Sequence, residues 1–282
     1  MVNISIIIPA KNELESLKTL IPQIHTLHPS AEIIIIDDGS TDGTSSAFAG
    51  SNHKIITHPY SKGNGAAIKS GARIAQGDIL ITMDADGQHQ ADDIQHLLAK
   101  LAEGYDMAVG ARSRASQAGA HRSLANGFYN LFSGWMVGHK IYDLTSGFRA
   151  VKTEKFKEFL PLLPNGFSYP TTITMSFFRS GYSVAYLPIH APKRTGKSHI
   201  NIWKDGVRFF LIIFKVGTLF SPLKIFAPVA FTMFLIASSW YGWTWWHEQR
   251  FTNMSALLYT GSVMTFLLGL ISEQITQLMY KK

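Results

Sequence analysis

Residues 79–90 read ILITMDADGQHQ, and the reading of this stretch decides the fold. An apolar run ends abruptly in Asp84, Ala85 and Asp86, followed by Gly87, Gln88 and His89. Such a run, closing in an acidic turn, is expected to be a buried parallel strand meeting its carboxyl edge. Open α/β sheets bind ligands at that edge. Two carboxylates one residue apart, with an amide two residues on, can gather hard oxygens around one divalent cation. Mg²⁺ or Mn²⁺ suits the set, because it takes one or two carboxylates and shares the rest of its shell with water and diphosphate oxygens. Asp84, Asp86 and Gln88 are therefore candidate metal ligands. The same residues would also serve as a solvated acidic turn capping the next helix, and the stretch alone leaves both readings open.

Working outward, the pattern repeats. Ile4 to Ile8 is a β-branched run stopped by Pro9, with Lys11, Asn12 and Glu13 at its end and a helix expected to Leu27. Glu32 to Ile36 is a second strand closed by Asp37, Asp38, Gly39 and Ser40, and Ser40, Thr41 and Asp42 offer caps for a following helix. Lys54 to Thr57 is a third strand. Lys62-Gly63-Asn64-Gly65 then opens an alanine-rich helix, a basic start that either favours an anion or is an ordinary cap. Asp92 and Asp93 begin another helix, and Asp106 to Val109 is a fifth strand. Strands alternating with helices at this pace predict a doubly wound α/β sheet. There is no G-x-G-x-x-G after the first strand and no Walker A motif, so a nucleotide would be held by carboxylates and a metal. Asp37 and Asp38 could accept from a base N–H or ribose hydroxyls, or be turn residues.

After Gly110 comes a basic stretch with Arg112, Arg114, His121 and Arg122. Residues 124–137 are expected to be a helix whose face of Leu124, Phe128, Leu131, Phe132 and Trp135 is core or interface. Residues 142–149, YDLTSGFR, form a turn entering a strand; a helix over 167–179 and a strand over 183–187 follow. Residues 190–199, HAPKRTGKSH, read as a basic loop carrying Lys193, Arg194 and Lys197. Arginine forks suit phosphate, though cations beside a membrane also meet lipid head groups.

The rest of the chain is membrane-like. Only 16% of its 282 residues are charged against 46% hydrophobic, with a mean hydropathy of +0.08. Residues 225–246 and 251–272 contain no charged side chain. At about 1.5 Å per residue each run crosses roughly 30 Å of hydrocarbon. His247 to Arg250 is the short link, so the spans (about 225–246 and 252–273) form a transmembrane hairpin over residues 223–282. Trp240, Trp243, Trp245 and Trp246 mark the far interface, while Lys215, Lys224, Lys281 and Lys282 gather on the near side. By the positive-inside rule both ends lie in the cytosol, giving a multi-pass inner or plasma membrane protein with residues 1–199 as a cytosolic catalytic domain. The N-terminal stretch lacks a basic start and a long apolar run, so no secretory signal is expected. Residues 200–222 read as interfacial amphipathic helices in contact with membrane lipid. The net charge of +7 raises nucleic acid as a partner, but no reader motif is present and none is expected to bind. With no cysteine, disulfides, thiolate metal sites and a cysteine nucleophile are excluded.

Taken together, PAKNE, IIIIDDGSTDGT, KGNGAAIKSGARIAQGDILITMDADGQH, GARSR and DLTSGFR resemble glycosyltransferase family 2, and more closely its dolichol- and polyprenyl-phosphate sugar synthases, over roughly residues 3 to 200. The hairpin resembles two-span bacterial members, and Ile271-Ser272-Glu273-Gln274 their closing segment. The resemblance implies a GT-A fold and an inverting transfer from a nucleoside-diphosphate sugar (UDP or GDP) to a polyprenyl phosphate, undecaprenyl or dolichyl. It implies that Pro9, Lys11, Glu13 and Asp38 hold the nucleoside. Asp84, Ala85, Asp86 and Gln88 would bind Mg²⁺ or Mn²⁺ with the diphosphate, and Arg112, Arg122 and Arg194 the donor and acceptor phosphates. Where members often carry Ser-Lys after the basic loop, this chain has Ser198-His199.

The chemistry agrees on its own terms. A phosphate monoester, with a second pKa of about 6, is largely ionised at neutral pH and needs no strong base. It needs alignment, charge neutralisation and a stabilised leaving diphosphate. A same-fold enzyme acting on a lipid hydroxyl or a polysaccharide would need a base, for which Asp143 is the nearby candidate. A non-catalytic membrane adaptor would be expected to lose the acidic pair, which is intact. A homo-oligomer is compatible with all of these readings.

Overall fold

The structure is a computed structural model that describes residues 2–50, 53–87, 89–112, 120–166, 169–189, 214–215 and 217–279, with backbone alone for 120–126. Two compact units are present: Met1–Gly134 with His139–His199, and Trp135–Gly138 with Ile200–Lys282.

The first unit is built on seven strands: β1 (Ile4–Ala10), β2 (Glu32–Asp37), β3 (Lys54–Thr57), β4 (Ile79–Thr82), β5 (Met107–Arg112), β6 (Arg149–Lys152) and β7 (Val184–Ile189). They form one sheet in the order β3-β2-β1-β4-β6-β5-β7. The isoleucine runs do what their composition suggests: Ile6, Ile7, Ile8, Ile34, Ile35 and Ile36 are wholly buried between helices on both faces. The helices are α1 (Leu14–Leu27), α2 (Thr44–Phe48), α3 (Asn64–Ile74), α4 (Asp93–Ala102), α5 (Ala120–Val137), α6 (Thr153–Glu158) and α7 (Tyr169–Arg179).

Two topological facts position the site. Strand order reverses between β1 and β4, which opens a crevice beyond their carboxyl ends, where Pro9–Glu13 and Asp84–Asp86 emerge. And β6 runs antiparallel to β4 and β5, pairing Arg149 with Thr82 and with Val109. A strand that starts at this edge must be fed by a loop lying on it, so residues 143–148 fall against the end of β4. On the same edge β7 stops at Ile189, paired with Arg112.

One expectation needs correction and two are sharpened. The fifth strand runs on to Arg112, past Val109, so Arg112 is part of the sheet. In α5 the buried residues are Tyr129, Ser133 and Met136, whereas Phe128, Leu131 and Trp135 are exposed. Of the two readings of that face, core or interface, exposure favours interface for these three residues, while Tyr129 is accommodated inside by a hydrogen bond from its hydroxyl to Thr171 (3.1 Å). Asp42 caps the helix after it, as expected, and a second helix as well. Its carboxylate accepts from Leu14 N–H at the start of α1 (3.0 Å) and from Thr44 N–H at the start of α2 (3.0 Å).

In the second unit, α8 (Pro222–Glu248) and α9 (Asn253–Met279) are each 27 residues long and apolar enough to cross a bilayer. Beyond Pro222 at the start of α8, their buried residues recur every seventh position: Ala230, Ala237 and Thr244 on α8, and Ser255, Ser262, Gly269 and Thr276 on α9. Small residues let two apolar helices approach closely, and a seven-residue period keeps the seam aligned. Ser262 donates across it to the Ala230 carbonyl (2.8 Å), and Glu273 accepts from Leu223 N–H at the start of α8 (3.3 Å). Phe231, Trp246, Leu257, Val263, Leu268 and Ile271 point outward and are exposed, the reverse of a soluble core.

Candidate active site

The edge of the sheet carries two acidic strand ends with different surroundings. After β2, Asp37 and Asp38 are both buried. Asp38 Oδ1 accepts from His58 Nδ1 (2.7 Å) and Lys62 N–H (2.8 Å), and Oδ2 from Ser61 Oγ (2.8 Å) and Gly63 N–H (2.9 Å). That uses the four acceptor sites of a carboxylate. Burial alone would push this acid up, but bonds from His58, Lys62, Gly63 and Ser61 bring it down to about 2. The segment entering α3, read as an anion site or an ordinary cap, receives a carboxylate from its own chain. The carboxylate of Asp38 shapes the Ser61–Gly63 loop. Asp37 accepts from Ser40 N–H (2.8 Å). The first and second loops are stitched together as well, since Asn12, at φ 57°, accepts from Thr41 N–H (2.8 Å) and receives Ser40 Oγ on its own N–H (2.9 Å). Pro9 and Glu13 are half-buried and Lys11 is exposed on this rim.

After β4 the surroundings differ. Asp84 and Asp86 are half-buried on either side of buried Ala85. The backbone N–H of Asp84 donates to His89 Nδ1 (3.1 Å), and the His89 ring stacks on Phe148 (4.9 Å, 17°). Accepting there leaves the neutral ring with its proton on Nε2. Burial lowers the His89 pKa despite the nearby Asp84 and Asp86. Behind Asp84 lies Gly147, where a Cβ would sit 2.6 Å from Asp84 Oδ2. Among the described residues no donor is hydrogen-bonded to the Asp84 carboxylate.

Arg112 closes the other side. Its Nε and Nη2 donate to Asp143 (2.8 and 3.1 Å), and Nη2 also reaches Thr145 Oγ1 (2.7 Å). Asp143 accepts further from the N–H groups of Thr145 and Ser146. Burial opposes both charges, yet the pairing holds Asp143 below its ordinary value and raises Arg112. Asp143 is therefore a scaffold for Arg112 and unsuited to act as a base. Gln88 and Arg194 lie outside the described residues, as does the Arg122 side chain, although its backbone lies in α5.

Whether this edge fits a metal is decided by its donor set. No group of three or more acidic or histidine side chains converges among the described residues, so there is no all-protein cage. Two carboxylates on a tight turn, one of them without internal donors, are what Mg²⁺ or Mn²⁺ takes when it keeps waters and diphosphate oxygens in its shell. The residues fit.

The profile of "Glycosyl transferase family 2" matches residues 5–160, from β1 through the 3₁₀ turn that follows α6. The chain belongs to glycosyltransferase family 2. A second profile, "GtrB C-terminal hairpin", matches residues 221–278 and marks α8 and α9 as a membrane-anchoring hairpin. Among relatives of this family-2 enzyme, polyprenol monophosphomannose synthase of Mycolicibacterium smegmatis is 31% identical over 206 residues, covering 67% of this chain and 77% of its own. Undecaprenyl-phosphate 4-deoxy-4-formamido-L-arabinose transferase of Salmonella choleraesuis is 31% identical over 188 residues, 60% of this chain and 57% of its own. Glucosyl-3-phosphoglycerate synthase of Mycobacterium tuberculosis, solved with Mn²⁺, UDP and glucosyl-3-phosphoglycerate, superposes with a TM-score of 0.57 at 20% identity over 77% of this chain and 79% of its own. That last likeness shows the shared GT-A fold.

Sequence reasoning passed over His89, Gly147, Arg149 and His58 as site-shaping residues. DADGQH and TSGFR had been quoted as motifs, and the signal lay in asking what each remaining letter touches.

Proposed function

We propose that this family-2 enzyme transfers a sugar, with inversion, from a UDP- or GDP-sugar to the phosphate of a polyprenyl phosphate at the cytosolic face of a membrane. The observation that carries the reading is the commitment of Asp143 to Arg112. With Asp84 and Asp86 given to the metal, the other groups named on the described edge are engaged: Asp143 is paired with Arg112, Asp38 is saturated, and His89 has its acceptor nitrogen occupied. A hydroxyl acceptor needs a base; an ionised phosphate does not. Both named relatives above act on polyprenyl phosphates or their products, and the hairpin supplies the bilayer such an acceptor lives in.

In this reading an acceptor phosphate oxygen attacks the anomeric carbon. The bond from that carbon to the diphosphate breaks, and the nucleoside diphosphate leaves with the electron pair. Asp84, Asp86 and Gln88 would hold Mg²⁺ or Mn²⁺, which when bound neutralises the leaving diphosphate. Pro9, Lys11 and Glu13 line the nucleoside side, with Asp38 acting through its loop. Arg112, held in a fixed fork by Asp143, faces developing phosphate charge, and Arg122 and Arg194 serve the phosphates with it. The hairpin returns both chain ends to the cytosol, and the interfacial helices read for residues 200–222 fall mostly outside the described residues.

The test is a donor and acceptor screen. Purified full-length protein is given Mg²⁺ or Mn²⁺, a panel of UDP- and GDP-sugars, and either a short polyprenyl phosphate or the matching polyprenol. Transfer to the phosphate alone is expected. Transfer to the alcohol replaces the acceptor class, and no turnover with any donor moves the chain to the adaptor reading.

A further inference from the structure

Arg149 is the largest wholly buried side chain among the described residues, and no carboxylate there forms an ion pair with it. Its Nη1 donates to the Pro170 carbonyl (3.2 Å) and Thr174 Oγ1 (3.1 Å), and Nη2 donates to the Ser146 carbonyl. Its Nε has no acceptor, and the Tyr169 ring lies 6.0 Å from Cζ. Burying a cation without a partner ion costs several kcal/mol. A position that merely filled the core would carry an apolar residue. The guanidinium instead joins two backbone segments, the 143–148 turn and the first turn of α7.

That turn leads to Asp84. Ser146 is gripped from both sides: its N–H donates to Asp143 Oδ1 (3.1 Å) and its carbonyl accepts from Arg149. The next residue, Gly147, has its carbonyl held by Thr82 Oγ1 (2.6 Å) and Tyr169 OH (3.4 Å). Its Cα is the wall against the Asp84 carboxylate, with no room for a methyl group. A shift of a few tenths of an ångström at Ser146 would move that wall. We propose that Arg149 is a positioning residue for the donor site, fixing through Ser146 and Gly147 the orientation in which Asp84 receives a metal-bound diphosphate; this rests on the donor reading above.

The test uses full-length protein in detergent and reads Mn²⁺ binding by electron paramagnetic resonance, with UDP or GDP present, whichever the wild type binds. Arg149→Lys keeps the charge but cannot span both segments, and Gly147→Ala pushes on Asp84 directly. Each is expected to bind Mn²⁺ about tenfold more weakly and to need correspondingly more Mn²⁺ for half-maximal transfer. Phe156→Leu, a core change on α6, sets the baseline for stability loss alone and should leave Mn²⁺ affinity unchanged. Should Arg149→Lys fail to fold, Thr174→Val, which removes one guanidinium acceptor, takes its place with an effect in the same direction. Mn²⁺ affinity within about twofold of wild type in folded variants overturns the proposal. A wild type that binds no Mn²⁺ with either nucleotide overturns the donor reading, and the inference falls with it.

Discussion

Asp38 and Asp84 follow β2 and β4, the strands on either side of β1 at one sheet edge, yet the chain treats them in opposite ways. Around Asp38 it closes completely, with four donors, a buried histidine among them. Around Asp84 it supplies a backing of glycine and stacked rings and leaves the carboxylate half-buried without a described donor. The first arrangement lowers the free energy of the folded state, because each charge-assisted bond replaces water at a site already desolvated. The second does not. An acid oriented but unsatisfied is stabilised only when something else arrives, which separates a residue that builds the fold from one that uses it.

The strongest way to break this contrast is Asp86→Ala, beside Asp84 on the same turn. Transfer is expected to fall by at least about a hundredfold while thermal stability and membrane insertion stay near wild type. Turnover measured alongside a melting curve checks both halves. Activity near wild type would end the metal assignment.

Asp38→Asn should do the reverse. An amide accepts at one end only and presents donors to the N–H groups of Lys62 or Gly63, so a loss of about 2 kcal/mol of stability is expected. The acid profile adds a signature. A carboxyl with an ordinary pKa of 3.8, held at about 2 in the folded state, favours folding above pH 4 and loses that contribution as pH falls through 2. The gap in stability between wild type and Asp38→Asn should therefore be full near neutral pH and close towards pH 2, as read by urea unfolding. Per folded molecule kcat should remain, while KM for the donor rises as the Ser61–Gly63 loop loosens.

How much of this could be read without coordinates differs between the two acids. That both lie at a sheet edge was legible, because isoleucine runs stopped by Asp leave few alternatives. Which of them was already engaged was not, since the donors to Asp38 come from 20 to 25 residues downstream. Lys62-Gly63-Asn64-Gly65 gave the right hint, an anion at a helix start, but not whose anion. Asp143 looked like a turn residue or a base until its pairing with Arg112 was visible. Arg149 read as the end of a turn entering a strand, and it is the first residue of β6. Its burial depends on β6 running antiparallel, a long-range pairing that no local pattern encodes. The hairpin was the most legible part, because absence of charge over a membrane's thickness is a local property. The heptad of small residues needed only to be counted.

The smallest effect is the sharpest test of the comparison. Ser61→Ala removes one donor from Asp38 Oδ2 and leaves His58, Lys62 N–H and Gly63 N–H in place. A single hydrogen bond to a charged group contributes about 1–2 kcal/mol, and a loop that keeps three of four should relax little. The variant should lose about 1 kcal/mol in urea unfolding, with kcat and KM for the donor within about twofold of wild type. A larger fall in donor KM performance than in stability would mean that the Asp38 cluster meets the nucleotide directly. The line between the closed acid and the open one would then have to be redrawn to place both in the donor site.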